Sequence, residues 1–154
     1  VVVYNNESKT QENYRIKANQ WIDFNASYAI TDHSGENLGK IARKGMRSIW
    51  KATYNILDNN DNPKYKVQEE SAWVKVLDGM VGEIPVIGAF TGYFLNPTYI
   101  VHDNNGKEIY RLKKMPSFFG RKFQLDKIND IPDDEETLVV LSLMMMVLLE
   151  RATG

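Results

Sequence analysis

The sequence predicts a mainly β fold of the α+β class: a closed antiparallel β-barrel around one hydrophobic C-terminal helix. Three observations predict it. One residue pattern is written three times, as SYAITDHSGENLGKIARK (27–44), TYNILDNNDNPKYKVQEE (53–70) and TYIVHDNNGKEIYRLKKM (98–115). From Leu138 to Leu149 only Ser142 is not apolar. The 154 residues, 43% of them hydrophobic and 25% charged, suit one domain with a core of its own.

The chain opens on VVVYNNESKT, without an initiating methionine and without the basic-then-apolar profile of a signal peptide. Residues 1–12 are read as the trimmed end of a strand, ahead of a single domain over 13–154. The repeated line is then a β-hairpin. Each copy reads hydroxyl, Tyr, any residue, aliphatic, any residue, Asp, a polar turn, and later a basic residue followed by an aliphatic. Tyr and the aliphatic two places on share one strand face, because side chains alternate with a period of two. Asp32, Asp58 and Asp103 stand where a carboxylate accepts from the amides of a turn, and the Asn and Gly nearby tolerate positive φ. A calcium loop of EF-hand type would need a distant glutamate that this spacing lacks. The copies begin at Ser27, Thr53 and Thr98, an unequal spacing that argues for a curling meander and against a solenoid.

Two segments read differently. Trp73, Val76, Leu77 and Met80 fall at helical spacing, so a short amphipathic helix is expected from Ser71, ended by Gly79, Gly82 and Pro85. The glycines at 82, 88 and 92 form neither a P-loop nor a dinucleotide fingerprint. The second helix is expected near 134–150. Asp133 and Glu136 stand at capping-box spacing, and Arg151 and Gly154 at the far end suit a helix C-terminus. Its apolar stretch spans about 18 Å, short of the roughly 30 Å hydrocarbon core of a bilayer, so no membrane span is expected. A helix apolar all round is buried all round. A barrel of hairpins with that helix through its middle buries it and leaves no sheet edge.

With these elements in order, the chain resembles the tubby C-terminal-like superfamily, which includes the plant LURP-one-related proteins and the phospholipid scramblases. The resemblance covers about 13–154. It rests on YAITDHSGENLGKI, GEIPVIGAFTGYFLNPTYIVHDNNGKEIYRL, FFGRKFQL and the final LSLMMMVLLERATG. It implies roughly twelve strands about the central helix, and binding of phosphoinositide or other membrane lipid. The calcium loop and cysteine-rich palmitoylation stretch of scramblases have no counterpart in this sequence.

Chemistry is sparse. With no cysteine, disulfides, thiolate metal sites and a cysteine nucleophile are excluded, and a reducing cytoplasm is the simpler setting. His33 and His102 are read as surface residues, and no metal or other cofactor is expected. No GxSxG, HExxH or kinase motif occurs, so the chain is read as no enzyme. The net charge of −1 argues against a nucleic-acid binder, but the cations are clustered. Lys40, Arg43, Lys44, Arg47 and Lys51 follow one another without an acid between them. Lys107, Arg111, Lys113, Lys114, Arg121, Lys122 and Lys127 meet only Glu108 and Asp126. Lys40, Arg43, Lys44 and Arg47 are the first candidate contacts to an anionic lipid headgroup or phosphate at a membrane surface, with Arg111, Lys113, Lys114, Arg121 and Lys122 second. The alternative is a protein-interaction module that uses Trp73, Tyr93 and Phe94.

Overall fold

Strand propensity and alternation set the frame. A computed structural model describes residues 1–19, 26–43, 53–70, 97–116 and 122–153. Its strands are β1 (Val2–Tyr4), β2 (Glu12–Ala18), β3 (Ser27–Asp32), β4 (Asn37–Arg43), β5 (Thr53–Leu57), β6 (Pro63–Glu69), β7 (Thr98–Asp103), β8 (Glu108–Met115) and β9 (Lys122–Lys127). They lie side by side in chain order as one nine-stranded antiparallel sheet. Helix α1 (Asp133–Thr153) follows.

The three repeated lines form β3–β4, β5–β6 and β7–β8, and their turns are superposable in chemistry. One oxygen of each aspartate accepts two backbone amides. Ser34 and Glu36 donate to Asp32 at 2.9 Å each, Asn60 and Asn62 to Asp58 at 2.9 Å each, and Asn105 and Lys107 to Asp103 at 2.8 Å each. The residue three places on is left-handed in every copy: Gly35 at φ 89°, Asp61 at φ 67° and Gly106 at φ 80°. The register then slips at the same offset from each aspartate, leaving Leu38, Lys64 and Ile109 as extra residues in the return strand. Such bulges bend a strand and re-aim a side chain. Here Ile109 becomes buried beside Tyr110, and Lys64 reaches the helix.

Alternation sorts the sheet into two faces. Ile16, Ile30, Ile41, Tyr54, Ile56, Tyr65, Val67, Tyr99, Val101, Tyr110 and Leu112 are buried on the helix side. α1 packs on β3, β4 and β5. Leu138, Val139, Leu141, Ser142, Leu143, Met145 and Met146 are buried, which at 100° per residue is an arc of about 200°. The expectation of burial on every side is corrected at Val140, which is 38% exposed because it lies opposite that arc.

The start of the helix is also held differently from the capping box expected. The Glu136 amide donates to the Pro132 carbonyl, and the Glu136 carboxylate accepts from the Tyr110 hydroxyl at 2.6 Å and Lys127 Nζ at 2.7 Å. Next to it the Glu135 carboxylate accepts from the Tyr65 hydroxyl and, at 3.1 Å, from Lys64 Nζ. Tertiary partners on β6, β8 and β9 have taken over from the local one.

These contacts bend the sheet. On a flat sheet β4 and β9 would lie about 24 Å apart, twice the roughly 10–12 Å width of a helix. Yet Gly39 of β4 lies against Leu138, and Lys127 of β9 reaches Glu136, half a turn away. The sheet therefore curves round α1 as a trough. Among the described residues no pairing joins β1 to β9, and the strands number nine. The helix expected from Ser71, with Trp73, Tyr93 and Phe94, lies outside the described residues.

Candidate functional site

The outward face of the trough carries most of the strand cations. Its cross-strand rows follow from the register. One row runs Lys17, Ala29, Lys40, Leu57. The next runs Ser27, Ala42, Asn55, Lys66, His102, Glu108. A third runs Thr53, Gln68, Ile100, Arg111, Asp126, and a fourth Thr98, Lys113, Gln124.

Lys17, Lys40 and Lys66 thus surround the small, uncharged group Ala29, Ala42 and Asn55. Two strand spacings separate Lys17 from Lys40, about 10 Å, and Lys66 lies about 12 Å from Lys40 by the same geometry. Lys17 and Lys66 are exposed and make no hydrogen bond or ion pair among the described residues. Lys40 is paired with Asp61 of the β5–β6 turn at 2.7 Å.

Two of the cations farther along the face are matched by acids, while Lys122 is exposed and makes no hydrogen bond or ion pair among the described residues. Arg111 donates to both oxygens of Glu108, at 2.7 and 2.9 Å, which holds the Glu108 carboxyl below the ordinary carboxylate range. Lys113 pairs with Asp126 at 3.0 Å, and Gln124 Nε2 donates to the same carboxylate at 2.7 Å; these two bonds lower its pKa. Arg15 is likewise paired with Glu12.

The nine candidate contacts are therefore dispersed. Lys40, Arg111, Lys113 and Lys122 share the outward face, but Lys40 and Arg111 stand four strands apart, about 19 Å along the sheet. Arg43 is in register with Tyr54 and Lys114 with Phe123, so both stand on the helix side, near the end of the sheet away from the hairpin turns. Lys44, Arg47 and Arg121 lie outside the described residues. Sequence reasoning passed over Lys17 and Lys66. Their signal was alternation: Tyr65, Lys66, Val67 puts the lysine on the face opposite the two apolar residues.

A cavity of about 280 Å³ opens between the turns of the first two hairpins and the start of α1. Glu36, Asp58, Lys64, Tyr65, Asp134 and Glu135 line it. Asp58 is held by its own turn, and Glu135 by Tyr65 and Lys64, so these two carboxylates serve the fold. No group of three His, Asp or Glu among the described residues is arranged to hold a metal ion. No helix among them is long and apolar enough to cross a membrane. Set beside known protein families, curated proteins and solved structures, the chain matches none.

Proposed function

We propose that this chain is a non-enzymatic, tubby-like binding module whose sheet closes about its helix as a barrel, and whose outward face binds phosphate-bearing headgroups at a membrane surface. A cytoplasmic setting, peripheral to the membrane, belongs to the same proposal. One observation carries it: Lys17 and Lys66, exposed and unpaired among the described residues, stand with Lys40 around a patch of small neutral side chains. The curvature of the sheet round α1 supports closure, and the resemblance of the repeated line and terminal helix supports the family. Arg111, Lys113 and Lys122 extend the same face as a second set; Arg43 and Lys114 stand on the helix side, and Lys44, Arg47 and Arg121 remain proposed contacts outside the described residues.

Cations near an anionic leaflet are worth about 1 kcal/mol each, and their ~10 Å spacing matches the Debye length at 0.1 M salt. The test is co-sedimentation with phosphatidylcholine vesicles, with and without phosphatidylserine or a phosphoinositide, at low and moderate salt. Binding is expected only to the anionic vesicles and is expected to weaken with salt. The double variant Lys17→Gln, Lys66→Gln is expected to bind about thirty-fold more weakly, the factor that loss of two such contacts gives. Equal binding by the double variant overturns the assignment of the face. Absence of binding to any vesicle at low salt overturns the lipid reading and leaves protein partners as the class to search.

A further inference from the structure

The three hairpins share one plan and depart from it at one place. The left-handed position is glycine in the first and third, Gly35 and Gly106, and aspartate in the second, Asp61 at φ 67°. A side chain there crowds the backbone, and glycine is the residue that avoids the crowding. Asparagine and aspartate come next, and Asn59, Asn60 and Asn62 stand around the position. The second hairpin therefore carries a charge where the other two carry glycine. Backbone strain that persists against a cheaper choice points to a role for the side chain.

Among the described residues that side chain has a single ion-pair partner. Asp61 Oδ1 lies 2.7 Å from Lys40 Nζ. The register neighbours of Lys40 on its own face are Ala29 and Leu57, whose side chains accept nothing. Without Asp61, Lys40 would lack a partner among the described residues, as Lys17 and Lys66 do. The pair is also open to water, with Asp61 66% and Lys40 24% exposed. An exposed ion pair is weak, so an array of phosphates can displace it.

We propose that Asp61 is a tethered counter-ion of Lys40, an autoinhibitory contact that competes with the anionic ligand for one of the three lysines around Ala29, Ala42 and Asn55. The proposal rests on the reading of that face as an anion site. It makes occupancy of the face depend on the opening of one ion pair, so a sparse anion meets two lysines and a dense anionic surface meets three.

The test uses Asp61→Gly and Asp61→Asn in the full chain, with two readouts. The first is ligand-free: the rate at which trace acetic anhydride acetylates Lys40, followed by mass spectrometry with Lys17 and Lys66 as internal references. Both variants are expected to raise the Lys40 rate severalfold and leave the references unchanged. An unchanged Lys40 rate overturns the pairing. The second is affinity for phosphatidylserine vesicles at low salt. It is expected to rise about five-fold in both variants, the factor that release of one exposed ion pair gives, and not to rise in a Lys40→Gln background. A gain that persists with Lys40 replaced overturns the mechanism, because net charge alone then explains it. If Lys40 acetylation rises while the native chain and both variants ignore the vesicles, the anion reading of the face falls, and the competition with it. Asp61→Gly removes strain, so a fold as stable as the native one is expected, and Asp61→Asn keeps the side-chain shape should glycine loosen the turn.

Discussion

Gly39 is a residue at which the helix and the sheet leave no room for a side chain. Its φ of 144° lies outside what a side chain adopts with ease, and a Cβ there would stand 2.3 Å from the Leu57 carbonyl oxygen and 2.9 Å from a Leu138 methyl. Neither neighbour can yield cheaply: one is backbone in the next strand, the other is packed in α1. Gly39→Ala is expected to lower stability by about 2–4 kcal/mol, combining backbone strain with overpacking. Urea denaturation should show the midpoint falling at unchanged slope. Nothing local in NLGKIA announced this role, because the two atoms that forbid a side chain come from Leu57 and Leu138. Asp32, Asp58 and Asp103 were legible for the opposite reason. Their partners lie two and four residues away, within reach of a sequence pattern. Ser142 falls between these cases. It was visible as the one polar residue in an apolar run, and its hydroxyl is buried without a partner among the described residues.

At the scale of elements, the hairpins and the helix were readable and their joints were not. Capping-box spacing at Asp133 and Glu136 suggested a local lock, but Glu136 is held by Tyr110 and Lys127, partners that only the folded sheet supplies. Glu135 is held in the same way by Tyr65 and Lys64. Two Tyr–Glu–Lys clasps therefore fix the first turn of α1 to β6 on one side and to β8 and β9 on the other. Tyr110 is suited to this because it is buried among core residues while its hydroxyl reaches the Glu136 carboxylate. Tyr110→Phe keeps the ring and removes one bond to a charged group, a loss of about 1.5–3 kcal/mol. Hydrogen exchange should show where it acts. Amides of Thr137 and Leu138 are expected to exchange faster than those of Met145 and Met146 beyond the global change, since one clasp still holds. Uniform acceleration along α1 would mean that the clasp does not anchor the first turn locally.

For the whole molecule, the charges that hold turns, faces and helix together set the pH range in which the trough keeps its shape. Closure of the sheet was an expectation from the helix's apolar surface and from the family resemblance. Curvature is what the described strands show, and the clasps are part of what maintains it. On the acid side, Asp32, Asp58 and Asp103 are held below the ordinary carboxylate range, the first chiefly by the Ser34 hydroxyl and the other two chiefly by the Asn62 and Lys107 amides. Glu108 and Asp126 are lowered by their outward-face partners, and Glu136 by Lys127 and then Tyr110. A carboxyl with a lowered folded pKa contributes stability that is present above its unfolded value and lost as pH falls through the folded one. On the alkaline side, burial first and the bond to Glu136 second push Tyr110 up to about 12, and burial and Glu135 raise Tyr65. Lys127 is raised by Glu136 and then Asp130. These groups hold their protons more tightly when folded, so their contribution is present below the unfolded values near 10 and is lost as pH rises through the folded ones. Melting temperature is therefore expected to be level between about pH 5 and 9 and to fall on both sides. Glu136→Gln separates the clasp from the rest: it removes one lowered carboxyl and the acceptor that raises Lys127, so both limbs should become shallower. A variant that shifts the plateau down and leaves both limbs parallel to the native curve would show that the clasp holds shape without carrying the pH dependence.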